Sequence, residues 1–158
     1  MAGVARQQTD RLALSTGGSF VRLYRASPSE RIAAIKAGVP AQAAKRFIAD
    51  LHLGQTVVFD ALNLKTATVN KKAAQGKPLS VEESERVLGL ARLVGQLEAM
   101  LEETGAGEGF DARAWLAQWL SAPLPALGGG RPIELLDTME GQGLVARMLA
   151  QVQSGAYA

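Results

Sequence analysis

The sequence predicts an all-α protein: a helix-turn-helix unit in the N-terminal half, followed by a small helical C-terminal unit. Three observations carry this. Alanine and leucine dominate the apolar set, 27 and 21 of 158 residues, and both are strong helix formers. Aromatic residues make up 5% of the chain, few for the Val-, Ile-, Tyr- and Phe-rich strands of a sandwich or barrel. Apolar residues also recur at three- and four-residue spacing between successive helix start and stop signals.

The elements follow in order. Residues 1–27 mix Gly, Gln, Ser and Thr with arginine and read as a mobile N-terminal arm. Within it, Phe20-Val21-Arg22-Leu23-Tyr24 suits a short strand or a docking segment. Ser27-Pro28-Ser29-Glu30 places an N-cap serine before a proline at the first helical position. Ile32, Ala33, Ile35 and Ala37 give that helix a short apolar face, and Gly38 ends it. Pro40 opens a second helix, with Ala43, Ala44, Phe47, Ile48 and Leu51 on one side and Gly54 as its breaker. Residues 56–62 form a short helix, Asn63-Leu64-Lys65 a turn, and 66–75 another helix closed by Gly76. Val57-Val58-Phe59 also fits a strand, but the run is short and its neighbours are helical.

Ser80 and Glu83 form an S-x-x-E capping box, with acidic side chains in the positive first turn. The helix they open runs to about Glu103 on a stripe of Val87, Leu90, Ala91, Val94, Leu97 and Leu101. Gly89 and Gly95 interrupt it at about 1 kcal/mol each relative to alanine. That cost points to close helix packing, either inside one chain or between two copies. The glycine-rich loop 105–109 marks a boundary between units 28–104 and 105–158. Asp111 caps a helix containing Ala114, Trp115, Leu116, Trp119 and Leu120. Prolines and glycines over 123–132 make an irregular connection, 132–137 one or two helical turns. Asp137 or Thr138 caps a last helix carrying Leu144, Val145, Met148, Leu149 and Val152. Residues 154–158 form a short tail.

Composition narrows the function. The net charge of +2 hides an asymmetry. Residues 1–77 hold 12 Lys/Arg against 4 Asp/Glu, a net of +8; residues 78–158 hold 5 against 11, a net of −6. A basic half suits a polyanion and an acidic half another partner. The chain has no cysteine, which excludes disulfide scaffolds, Cys-ligated zinc, Cys nucleophiles and iron–sulfur clusters. No membrane span and no signal peptide is expected, and the location expected is cytoplasmic. The single histidine, His52, sits at a helix end between Leu51 and Leu53 and reads as structural or surface. Glu82/Glu83/Glu85 and Glu102/Glu103 read as caps or solvated faces. Gly105/Gly107/Gly109 follows a helix and lacks the dinucleotide spacing. Gly76-Lys77 is no P-loop, because Lys71 holds the first-glycine position and Pro78 replaces Ser/Thr. No catalytic residue, metal site or cofactor is assigned.

The stretch 54–76 reads as a helix-turn-helix whose second helix offers Thr66, Thr68, Asn70 and Lys71 to base edges in a major groove. Lys65, Lys72 and Lys77 flank them and suit phosphates, as do Lys45 and Arg46 from the preceding helix. The alternative is a packed helical hairpin with a solvated basic face. In the acidic half, Trp115 and Trp119 lie one turn apart and suit either a core or an interface hot spot.

A series of ordered matches adds to this reading. Ala37-Gly38-Val39-Pro40-Ala41 precedes the helix-turn-helix; Leu79-Ser80, Glu83-Ser84-Glu85-Arg86 and Leu90-Ala91-Arg92 follow. Then come Trp119-Leu120, Pro123, Ala126-Leu127-Gly128-Gly129 and Pro132-Ile133-Glu134-Leu135-Leu136-Asp137-Thr138, with Gly141, Gly143, Val145, Leu149 and Gly155 completing the pattern. Over roughly residues 37–158 the chain resembles the Xre/MbcA/ParS antitoxins of bacterial toxin–antitoxin pairs. The resemblance implies an Xre-like operator-binding domain, a toxin-binding domain over roughly 106–158, and a RES-domain toxin that consumes NAD or uses it to ADP-ribosylate a target. It implies that the C-terminal end, Gln153-Ser154-Gly155-Ala156-Tyr157-Ala158, occupies the toxin's NAD pocket, with Trp119 and Arg131 also in the toxin-binding surface. There are two departures: Thr68, Val69 and Asn70 stand where relatives are often richer in arginine, and Gly130 adds a third glycine before Arg131. A helix-turn-helix reader of palindromic half-sites is expected to be a homodimer. A stand-alone helix-turn-helix regulator is the alternative; an NAD-using enzyme is disfavoured by the missing catalytic groups.

Overall fold

The computed structural model describes Leu14 and residues 18–153, which form eight α-helices and two 3-10 turns. The helices are α1 (Val21–Arg25), α2 (Pro28–Ala37), α3 (Ala41–Ala49), α4 (Gln55–Ala61), α5 (Thr66–Ala74), α6 (Val81–Thr104), α7 (Ala112–Ser121) and α8 (Met139–Gln153). The 3-10 turns, Pro125–Leu127 and Pro132–Leu135, lie between α7 and α8. No helix among the described residues is long and apolar enough to cross a membrane.

Local chemistry sets the helix ends. Ser27 with Glu30 and Ser80 with Glu83 both form complete capping boxes, so the first-turn N–H groups are satisfied from the side chains. Asp111 Oδ1 accepts from the Ala114 amide at 3.0 Å and opens α7. Thr138 Oγ1 accepts from the Gly141 amide at 3.0 Å and opens α8, which decides between the two expected caps. Gly105 closes α6 at φ 68°, in the left-handed region where glycine carries no Cβ penalty. Pro40 and Pro78 form an isolated bridge, with the Leu79 amide donating to Val39 O at 2.8 Å. Buried Ser84 Oγ accepts from the Val39 amide at 2.9 Å and ties the bridge to α6.

Helix α6 is the spine. α1 and α2 pack on it from the N-terminal part, α7 and α8 from the C-terminal part. One hydrophobic core runs continuously from Leu14 to Leu149 with no break at Gly105. Both glycine notches of α6 are filled from within the chain. A Cβ on Gly95 would collide with the carbonyl of Phe20, and one on Gly89 with the side-chain amide of Gln142. The close packing inferred from these glycines is therefore intramolecular.

The expectation of a mobile arm over 1–27 needs correction for residues 18–27. Residues 21–25 are helix α1, and Phe20, Val21, Leu23 and Ala26 are buried. The Phe20 amide donates to Glu98 Oε1 at 2.9 Å. Its ring meets Phe47 of α3 edge to face, with centroids 5.1 Å apart. The apolar pattern Phe20, Val21, Leu23 is that of a docking segment, and its conformation is helical rather than extended.

Candidate nucleic-acid and partner-binding interfaces

Helices α4 and α5 and the turn between them form the expected helix-turn-helix. Asn63 adopts φ 52°, a conformation asparagine tolerates, and flanking Leu62 and Leu64 are buried. The Leu64 amide donates to Phe59 O at 2.8 Å and tightens the turn. From α6, Arg86 reaches across: its Nε donates to Leu62 O at 2.6 Å and its Nη2 to Asn63 O at 3.4 Å. Val69, fully buried, and Ala73 join α5 to the core, and α5 packs on α3.

This packing decides which predicted residues face outward. Lys65, Thr66, Asn70 and Lys71 are exposed and Thr68 is half-buried. Asn70 lines a groove between α3 and α5 together with Lys45 and Arg46 of α3. Gln42 of α3 and Gln55 at the start of α4 complete its polar walls; neither residue stood out in the sequence, because isolated glutamines carry no periodic signal. Their amides can both donate and accept hydrogen bonds, and Lys45 and Arg46 place positive charge on the same groove.

Lys72 is engaged differently. Its Nζ lies 2.8 Å from Glu83 Oε1, with both side chains largely covered, so it ties α5 to the start of α6. Burial disfavours the charge on Glu83, but hydrogen bonds from Lys72 and Ser80 and the Lys72 charge outweigh it. The carboxyl pKa therefore lies below its ordinary value.

In the C-terminal part, Trp115 and Trp119 of α7 stack with centroids 6.1 Å apart and planes 12° from parallel. Both are half-buried, so each packs on the core and keeps some surface. Arg131 precedes the second 3-10 turn and clasps Glu134, with Nη2 3.0 Å and Nε 3.1 Å from Oε1. Hydrogen bonds from the Arg131 side chain and backbone hold the exposed Glu134 carboxyl below its usual pKa. Arg131 also lines a shallow groove with Val57 and Asp60 of α4, Ser121 of α7 and Asp137.

Residues 30–92 match the antitoxin Xre-like helix-turn-helix domain, and residues 96–155 match the antitoxin Xre/MbcA/ParS C-terminal toxin-binding domain. A Prs ADP-ribosylating antitoxin from Sphingobium sp. (strain YBL2) is 68% identical over 140 residues, covering 89% of this chain and 88% of that protein. The chain belongs to the Xre/MbcA/ParS antitoxins. An antitoxin Xre from Pseudomonas putida is 30% identical over 88 residues, 56% of this chain and 50% of that protein.

The molecule is thus an antitoxin of a toxin–antitoxin system, with a helix-turn-helix domain and a toxin-binding domain. In this antitoxin the two matched domains meet inside α6, between Arg92 and Gln96, whereas the sequence placed the boundary at Gly105. The shared helix explains the offset: each domain takes part of its core from α6. Of the predicted toxin-binding residues, Gln153 is the last residue of α8, and Ser154, Gly155, Ala156, Tyr157 and Ala158 lie outside the described residues. Trp119 and Arg131 belong to separate elements, α7 and the lead into the second 3-10 turn. His52 is exposed and stands 3.8 Å from the Asp111 carboxylate, beside the α7 cap.

Proposed function

We propose that this antitoxin neutralises a RES-domain toxin, an NAD-consuming or ADP-ribosylating enzyme, by laying its C-terminal end, residues 153–158, over the toxin's NAD site. The observation that carries this is the 68% identity with a relative whose name couples antitoxin and ADP-ribosylation. The antitoxin works by binding and not by catalysis, in the cytoplasm, with no cofactor of its own. Trp119 and Arg131 add to the toxin-facing surface. Tyr157 supplies a hydroxyl and Gly155 a backbone free to adopt shapes other residues resist. Six residues alone would lose much of their binding energy to ordering, so a folded base is needed. Helix α8 is that base: Gln96 of α6 donates to Ala146 O at 2.8 Å and holds the middle of α8 against the spine.

The basic half represses the operon of the antitoxin as a homodimer, with α5 in the major groove. Support comes from the exposure of Thr66, Asn70 and Lys71, with Asn70 sharing a groove with Lys45 and Arg46. The test is co-expression with the neighbouring open reading frame while growth and cellular NAD are followed. Full-length antitoxin restores both, and an antitoxin lacking residues 153–158 restores neither. Full rescue by the truncated chain would overturn occlusion by the tail. Operator binding is checked with DNA from upstream of the gene, with a steep loss of affinity as salt rises.

A further inference from the structure

We infer that Arg86 is a positioning residue for the recognition helix α5, and that Gln142 makes its hold conditional on the toxin-binding domain. The inference rests on the reading of α5 as the DNA-facing helix.

The path is continuous. Leu62 O, at the C-cap of α4, and Asn63 O, in the turn that follows, lie beyond the last intrahelical partners of α4. The planar guanidinium of Arg86 serves both from one side chain, at 2.6 and 3.4 Å, and so sets how the turn delivers α5. The backbone of Arg86 is held in turn by the other domain. Gln142 Nε2 donates to Arg86 O at 3.1 Å and to Leu136 O at 2.9 Å, which spends both amide hydrogens. Gln142 itself is 7% exposed and its carbonyl oxygen fits over Gly89, where any Cβ would collide with it. One buried amide thereby joins α8, α6 and the end of the second 3-10 turn.

Arg86 lies in the helix-turn-helix match and Gln142 in the toxin-binding match, so the path crosses from one domain to the other. Arg131, a proposed toxin contact, opens the same 3-10 turn whose following residue, Leu136, holds Gln142. A toxin that shifts this turn or α8 moves Gln142, and with it the anchor of the α4–α5 turn. Toxin and operator then alter each other's affinity by the same factor.

The experiment uses the full chain, the product of the neighbouring gene as toxin, and a DNA fragment from upstream of the operon. Operator affinity is measured with and without saturating toxin, which yields the coupling factor, and again across a salt series. In wild type the factor differs from one. Gln142→Met, similar in length but without donors, brings it close to one while both binary complexes still form. Arg86→Lys, which keeps the charge but cannot fork to two carbonyls, weakens operator binding several-fold without changing the salt slope, and it serves if Gln142→Met does not fold. Wild-type coupling retained in Gln142→Met overturns the inference, as does an Arg86→Lys variant that loses salt slope, because Arg86 would then touch phosphate itself. A wild type that binds no operator overturns the reading of α5, and the inference falls with it. A wild type that binds both partners with a factor of one overturns the inference alone.

Discussion

The guanidinium carbon of Arg113 lies 5.1 Å from the centre of the Phe20 ring, so a helix of the toxin-binding domain clasps a residue that precedes both matched domains. The same guanidinium donates to Gly18 O at 2.8 Å and stands 3.7 Å from the Asp50 carboxylate at the end of α3. Phe20 thus meets α3, α6 and α7 at once, and the segment around it acts as a strap across the two halves.

Truncation of Phe20 is therefore expected to be costly. Phe20→Ala destabilises the chain by about 3–5 kcal/mol, the range for emptying an aromatic core position. Phe20→Leu keeps most of the burial but loses the ring contacts to Phe47 and Arg113, and costs about 1–2 kcal/mol. Urea denaturation of the full chain measures both; an unchanged midpoint in Phe20→Ala would show that the strap contributes nothing.

The helix glycines separate packing from propensity. Helix propensity favours alanine over glycine by about 1 kcal/mol at an interior position. At Gly95 the new Cβ would strike the Phe20 backbone, and at Gly141 the Leu135 carbonyl, so both alanine variants lose stability despite that gain. At Gly143 the nearest atom is Arg147 Nη1 at 3.5 Å, an ordinary contact. Gly143→Ala accordingly raises the melting temperature, and the opposite signs at 95 and 143 are the check.

Glu83 contributes a pH dependence of defined sign. Its folded pKa is depressed, so its contribution is complete above the unfolded value of about 4.3 and is lost as pH falls through the folded pKa. Glu83→Gln destabilises by about 1 kcal/mol at neutral pH, through loss of the charged partner of Lys72. The gap between wild type and variant narrows below pH 4, as followed by denaturation at a series of pH values. A gap that widened on acidification would contradict the depressed pKa.

Two neighbouring lysines are expected to behave differently. Lys71 is exposed, so Lys71→Ala lowers operator affinity and reduces the salt slope by about one. Lys72 is bound to Glu83, so Lys72→Ala lowers the melting temperature and leaves the slope near that of wild type. Asn70→Ala, on the groove wall, relaxes discrimination at one base pair by about 1–3 kcal/mol. Equal slope losses at 71 and 72 would place the ammonium of Lys72 on the DNA.

Most of the helix plan was legible in the sequence because its causes lie within four residues. Ser27 with Glu30, Ser80 with Glu83, Asp111 with Ala114, and the stops at Gly38 and Gly105 each act on their own helix end, so spacing alone locates them. The exposure of Lys65, Thr66, Asn70 and Lys71 was legible for the same reason, since one buried residue, Val69, orients a nine-residue helix, whereas half-buried Thr68 and the Lys72 tie to Glu83 were not. What the sequence could not disclose are the contacts between distant side chains. Phe20 meets Glu98 across 78 positions, Arg113 reaches Gly18 across 95, Gln142 reaches Arg86 across 56 and Arg86 reaches Leu62 across 24. Such contacts have no period, because a long polar side chain can reach any carbonyl that packing brings within about 3 Å. The sequence by itself determined where helices start and stop and which half is basic. Only the tertiary structure decided that α6 is shared by both domains, that Lys72 faces Glu83, and that one buried amide connects the toxin-binding domain to the helix-turn-helix.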